Sequence, residues 1–201
     1  MQNPLMKVFA FCSVTAAIIL FCVIFGGYTS FYRSQNRIEF SKKALVDSCR
    51  ERLELLPALS AFMTKSVPDS PLSMDQDLKK ADALLMDVLQ QSLPLEEQMT
   101  KDLETSQTEL TAQIKEAFDL LKPVSDQESM EVFESLKLKF FKAQDNLYIA
   151  KDQYNYEVLY FNMRTRSFPV SLIAKLFKFD KIVYYPFSDQ AFLPARKAFE
   201  P

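Results

Sequence analysis

From Val8 to Phe25 the chain carries no charged side chain and is almost wholly apolar, and every Asp and Glu lies after that run. The uncharged stretch reaches Tyr32. At ~1.5 Å per residue the apolar core covers ~27 Å as a helix, close to the ~30 Å hydrocarbon layer of a bilayer. A chain built this way is expected to fold as one membrane-spanning helix plus whatever roughly 170 following residues can form. The competing reading is a cleaved signal peptide, with Lys7 as its basic region. A signal peptide's apolar region runs ~7–15 residues, and here the apolar character continues well past Ala17. Neither Cys12 after Phe11 nor Cys22 after Phe21 suits a lipoprotein site, so a retained span is expected.

Orientation follows the basic residues near the ends of the span. Lys7 stands alone before it, and Arg33, Arg37, Lys42 and Lys43 follow. That asymmetry puts the short N-terminus outside and the C-terminal domain in the cytoplasm. Tyr28, Phe31 and Tyr32 fall where an interfacial aromatic belt belongs.

Composition excludes several activities. Setting Lys7 aside, the remainder has 23 basic and 26 acidic residues, a net −3, without the basic footprint of a nucleic-acid binder. The only glycines are Gly26 and Gly27, so phosphate-cradling and dinucleotide loops are ruled out. There is no histidine, which removes Ser-His-Asp triads, Cys-His dyads and histidine metal sites. No enzymatic activity and no cofactor are expected. Cys12 and Cys22 stand ~15 Å apart on a helix, too far for a disulfide. Cys49 falls on an apolar stripe and reads as a small buried hydrophobe.

After the span the pattern is helical throughout. Ile38, Leu45, Cys49, Leu53, Leu56, Leu59 and Met63 mark one face from about residue 31 to 65. Pro57 should kink that helix or restart it. Residues 66–71 form the clearest loop. A second helix is expected over 74–91, with Leu78, Ala81, Leu85 and Val88 inward. A third stripe runs Leu95, Met99, Leu103, Leu110, Ile114, Ala117, Leu121. Ser125 and Glu128 have the spacing of a capping box. The next helix has the cleanest phase: Phe133, Leu136, Phe140, Ala143, Leu147, Ala150 and Tyr154, then Val158 and Phe161. It should end at Phe168-Pro169, with a short helix to about Phe177. No stretch alternates with period two.

The expected fold is therefore all-α, a single N-terminal transmembrane helix followed by an antiparallel four-helix bundle. The expected division is 1–30 anchor, 31–185 bundle and 186–201 irregular tail. Pro94 leaves two options: as a turn it gives four helices, as a kink three long ones. That choice sets whether residues 164–187 lie near the membrane or at the far tip.

The segment Ile149–Phe179, with Ala150, Lys151, Tyr154, Asn155, Val158, Asn162, Phe168, Pro169 and Ala174, resembles the C-terminal signature of the LemA family. Arg52–Leu59, containing Pro57, resembles that family's Leu-(Ile/Leu)-Pro-Asn-Leu segment, with Ala58 where Asn is usual. Departures are the missing Trp of the first helix and Lys178-Phe179 in place of Gly-Phe. The resemblance implies a bacterial inner-membrane protein with a cytoplasmic helical bundle and no established catalysis.

Three groups of residues invite functional readings. Asn155 and Asn162, seven apart on one helix face, are read first as amides that fix packing by bonding to a neighbouring helix, and second as a partner-contact site. Arg164, Arg166, Lys175, Lys178 and Lys181 interleave with Phe168, Ile173, Leu176, Phe177 and Phe179; they suit a closing helix with solvated cations, or a segment lying on an anionic membrane. Glu128, Glu131 and Glu134 read as a solvated helical face near an N-terminus rather than a metal site. The leading functional expectation is a non-catalytic scaffold or interaction module, with the bilayer and an unidentified protein as partners. The alternatives are an enzyme or accessory factor using carboxylates alone, and a membrane sensor or remodelling protein acting through segment 164–187.

Overall fold

The computed structural model describes residues 4–67, 75–121 and 127–186. Five helices follow in order: α1 Pro4–Ser66, α2 Asp75–Gln90, α3 Glu97–Leu121, α4 Gln127–Arg166 and α5 Val170–Leu176. Among the described residues there is no strand.

The apolar run and the first bundle helix are one continuous element. α1 is 63 residues long, ~95 Å at helical rise. Its first part is long and apolar enough to cross a membrane, and none of that stretch is buried in the protein. Nothing breaks the helix at residue 30, the expected boundary of the anchor. Pro57 lies inside α1 without ending it, so of the two expected outcomes, a kink or a restart, the restart is absent. Its side chain is exposed, and the two helix ends are held in register by the same buried stripe. Ile38, Leu45, Cys49, Leu53, Leu56, Leu59 and Met63 are all buried, as their phase predicts.

Pro94 is a turn. α2 ends at Gln90 and α3 begins at Glu97, and α1 holds the connection in place. Lys42, itself buried, donates to the Gln91 carbonyl at 2.7 Å and pairs with Glu39 at 2.7 Å. Glu39 in turn accepts the Leu93 N–H at 3.2 Å. A cation at the end of α2 satisfies a terminal carbonyl and suits the helix dipole.

α4 returns antiparallel along α1: Asn146 meets Glu51, Glu157 meets Arg37 and Arg164 meets Ser30. Phe133, Leu136, Phe140, Ala143, Leu147, Ala150, Tyr154, Val158 and Phe161 are buried, making this stripe the main seam. Ser125 and the loop after Val67 fall outside the described residues, as does the tail beyond Pro186. The short helix after Phe168-Pro169 forms as expected. Past it, residues 179–186 run without helix back along α4 and act as a strap.

Candidate functional site

Two neighbouring constructions occupy the bundle: a clamp that holds the strap, and a charged cluster beneath it. The clamp is built from the signature amides. Asn162 donates from Nδ2 to the Ile182 carbonyl at 2.8 Å and accepts the Ile182 N–H at 3.0 Å. Asn155 does the same with Tyr185, at 2.8 and 2.7 Å. Between them the Tyr154 hydroxyl donates to the Val183 carbonyl at 3.3 Å. Each carboxamide thus mimics the backbone of a neighbouring strand. The spacing follows from geometry: seven helical residues rise ~10.5 Å, and three extended residues span ~10 Å. Two amides two turns apart therefore match two strap residues three apart. The expectation that these amides bond to a neighbouring helix is corrected here, since their partner is an extended segment.

The strap seats Ile182 and Tyr185 in the core. Tyr185 roofs a set of charged groups drawn from three helices. Arg52 of α1 donates to the Gln107 Oε1 at 3.2 Å and to Thr111 at 2.8 Å. Lys151 of α4 pairs with Glu104 of α3 at 2.5 Å. Lys151 also lies 5.1 Å from the centroid of the Tyr185 ring. Arg52, Glu104, Gln107 and Lys151 are all buried. Burial lowers the Arg52 guanidinium to about 10, against the opposing pull of Cys49 and Glu104. Burial likewise raises the Cys49 thiol to about 12, although Lys151 and Arg52 act the other way. The Tyr185 hydroxyl is pushed well up by burial, with Cys49 and Glu104 adding to the effect. A thiol so suppressed is a poor nucleophile, which agrees with reading Cys49 as a packing residue.

Sequence periodicity did carry a trace of this cluster. Arg52 stands three residues after Cys49, and Lys151 four after Leu147, so both charges sit in core phase. A charge in core phase signals a buried partner, and the partner, Glu104, lies next to Leu103 at the edge of its own stripe.

The remaining basic residues divide. Arg164 is held internally: it donates to the Ser30 hydroxyl at 2.7 Å and carbonyl at 3.3 Å, with Phe31 4.9 Å from its guanidinium carbon. It ties α4 to α1 where the apolar run ends. Arg166, Lys175, Lys178 and Lys181 are exposed. Arg166 and Lys181 line a groove of about 430 Å³ with Thr100, Lys101 and Tyr184. There Lys101 hydrogen-bonds Glu97 and draws that carboxyl below its usual range. Phe168 is 81% exposed, and Pro169 immediately precedes α5. Pro57 stands far from all of these. Among the described residues no group of acidic, Cys or His side chains is placed to hold a metal ion.

The family model for LemA matches residues 74–196. The chain belongs to the LemA family. That match takes in α2 to α5, the clamp and the strap, so the features just described lie in the family region, apart from the α1 residues that complete them. The LemA-like segment at Arg52–Leu59 lies outside the matched residues. No curated protein and no solved structure matches the chain.

Proposed function

We propose that this LemA-family chain is a non-catalytic interaction module that a bacterium holds at its inner membrane, with the bundle in the cytoplasm. The observation that carries the reading is the continuity of α1: an apolar length with no protein around it runs directly into the seam of the bundle. Such a helix ties the position of the bundle to the bilayer, and tethering raises the effective concentration of whatever the bundle binds at that surface. The enclosed charged cluster supports the non-catalytic part. Lys151 is turned on Glu104, and Arg52 on Gln107 and Thr111, all beneath the strap. The mild net acidity speaks for a protein partner rather than nucleic acid.

Two measurements test this. Proximity labelling by the full chain in its own cells should mark a recurrent set of membrane-adjacent proteins that a replaced bundle on the same span does not mark; identical sets would refute the reading. For topology, a C-terminal fluorescent protein fusion should glow and a C-terminal alkaline phosphatase fusion should be inactive. The reverse pair of results overturns the cytoplasmic placement.

A further inference from the structure

α5 sits beside the end of the apolar run. A methyl group added at Gly27 would meet the Ile173 side chain at 2.2 Å, so α5 approaches α1 as closely as the missing side chain permits. Tyr28 packs on Phe177 and Phe179, with ring centroids 4.9 and 5.9 Å apart, and Phe179 stacks on Phe31 at 4.8 Å. Gly27 to Phe31 lie just past Phe25 and just before Arg33, the first charge after the span. This is the depth at which hydrocarbon gives way to headgroups.

At that depth α5 has two apolar faces. Ile173 and Ala174 are buried against the protein. On the opposite side Leu172 is 58% and Leu176 64% exposed, with Phe168 just ahead of the helix. Leu172 and Leu176 are four apart and share one face. Such a stripe facing water is costly, whereas a short helix lying in the interface buries its outer face at the acyl boundary. Lys175, Lys178 and Lys181 surround it, with Asp180 as the one acid among them. Cations at this height are drawn to anionic lipid.

We propose that α5 is a second membrane contact. Phe168, Leu172 and Leu176 enter the acyl boundary of the leaflet that α1 leaves, and Lys175, Lys178 and Lys181 rest on anionic headgroups. The occupant of this face is lipid because the face continues the surface of the span itself. The inference rests on the membrane-anchored reading of α1.

The chain contains no tryptophan, which permits a direct depth measurement on the full chain in proteoliposomes. Three single-tryptophan variants are compared, Ile18→Trp, Leu172→Trp and Leu138→Trp. All three positions are exposed on the protein, and position 138 lies ~40 Å along α4 from Arg166. Phosphatidylcholine vesicles carry bromine either high or low on the acyl chain, with or without phosphatidylglycerol. Leu172→Trp should be quenched several-fold more than Leu138→Trp by bromine placed high, and Ile18→Trp most by bromine placed low. Changing Lys175, Lys178 and Lys181 to Gln should lower the phosphatidylglycerol-dependent quenching, about fivefold in partitioning per cation. If Leu172→Trp matches Leu138→Trp while Ile18→Trp is quenched, the α5 contact is wrong and the anchor stands. If Ile18→Trp is also unquenched, both readings fall. If Leu172→Trp is shielded from aqueous acrylamide yet untouched by bromine, protein covers α5 instead, and the proposal is overturned. Quenching that ignores phosphatidylglycerol and the three Lys changes removes the anionic-headgroup part.

Discussion

The clamp makes the sharpest prediction about stability. Asn162→Ala removes both hydrogen bonds to Ile182 and leaves a buried N–H and a buried carbonyl without partners. An orphaned buried polar group costs about 1–3 kcal/mol, so two such groups, after local relaxation, should cost about 2–4 kcal/mol. Asn155 makes the same pair of bonds, but it is half-buried and water can replace it. Asn155→Ala should therefore cost less, about 1–2 kcal/mol. For a chain of this size a loss of 1 kcal/mol lowers Tm by about 2–4 °C. Asn162→Ala should then melt about 5–15 °C below the parent in detergent, and Asn155→Ala a few degrees below it. Hydrogen exchange localises the effect. The Ile182 amide should exchange much faster in Asn162→Ala, while the Val158 amide inside α4 barely changes. An unchanged Tm in Asn162→Ala, or a larger loss in Asn155→Ala than in Asn162→Ala, would refute the view that these amides hold the strap.

The charged cluster holds two cations and one carboxylate, so its members are not equivalent. Glu104→Gln leaves Arg52 and Lys151 buried together and should cost about 3–5 kcal/mol, whereas Lys151→Met leaves Glu104 opposite Arg52 and should cost clearly less; equal losses in chemical denaturation would show that the balance of charge is misjudged. Leu147→Ala in the seam should cost about 2–5 kcal/mol, against about 0.5 kcal/mol or less for the exposed Lys139→Ala, and equal effects would mean the helix phase is wrong. The raised Cys49 thiol stays protonated in the folded chain while its unfolded form ionises near pH 9. Its contribution is thus fully present below that pH and declines toward pH 12, so Cys49→Ala should flatten the early alkaline loss of stability; an unaltered profile would contradict it. Cys49 should also resist alkylation in the folded chain and react once the chain is unfolded in denaturant, and equal rates in the two states would contradict its burial.

Much of the helical scaffold was legible because burial on a helix leaves a period. The stripes on α1 and α4 predicted their buried residues one by one, and Pro94 narrowed the count to two options. What periodicity could not choose was decided by Lys42 and Glu39, whose bonds to Gln91 and Leu93 make Pro94 a turn. The strap was illegible for a related reason. An extended segment paired through its backbone to side-chain amides has no repeating pattern of its own, so Asn155 and Asn162 could be placed on one face but not matched to Tyr185 and Ile182. The continuity of α1 is not legible in the pattern, because composition changes at residue 30 while nothing there interrupts the helix.

That continuity has a mechanical consequence. On the membrane-anchored reading, α1 runs ~60 Å as one helix from Gly27 at the bilayer surface to Ser66 at the far end. A 10° tilt of the span would swing Ser66 sideways by about 10 Å, treating the helix as a stiff arm. Changes in bilayer thickness alter helix tilt by such amounts. The far end would then register what happens in the hydrocarbon layer, as the tip of a long pointer magnifies a small turn at its pivot.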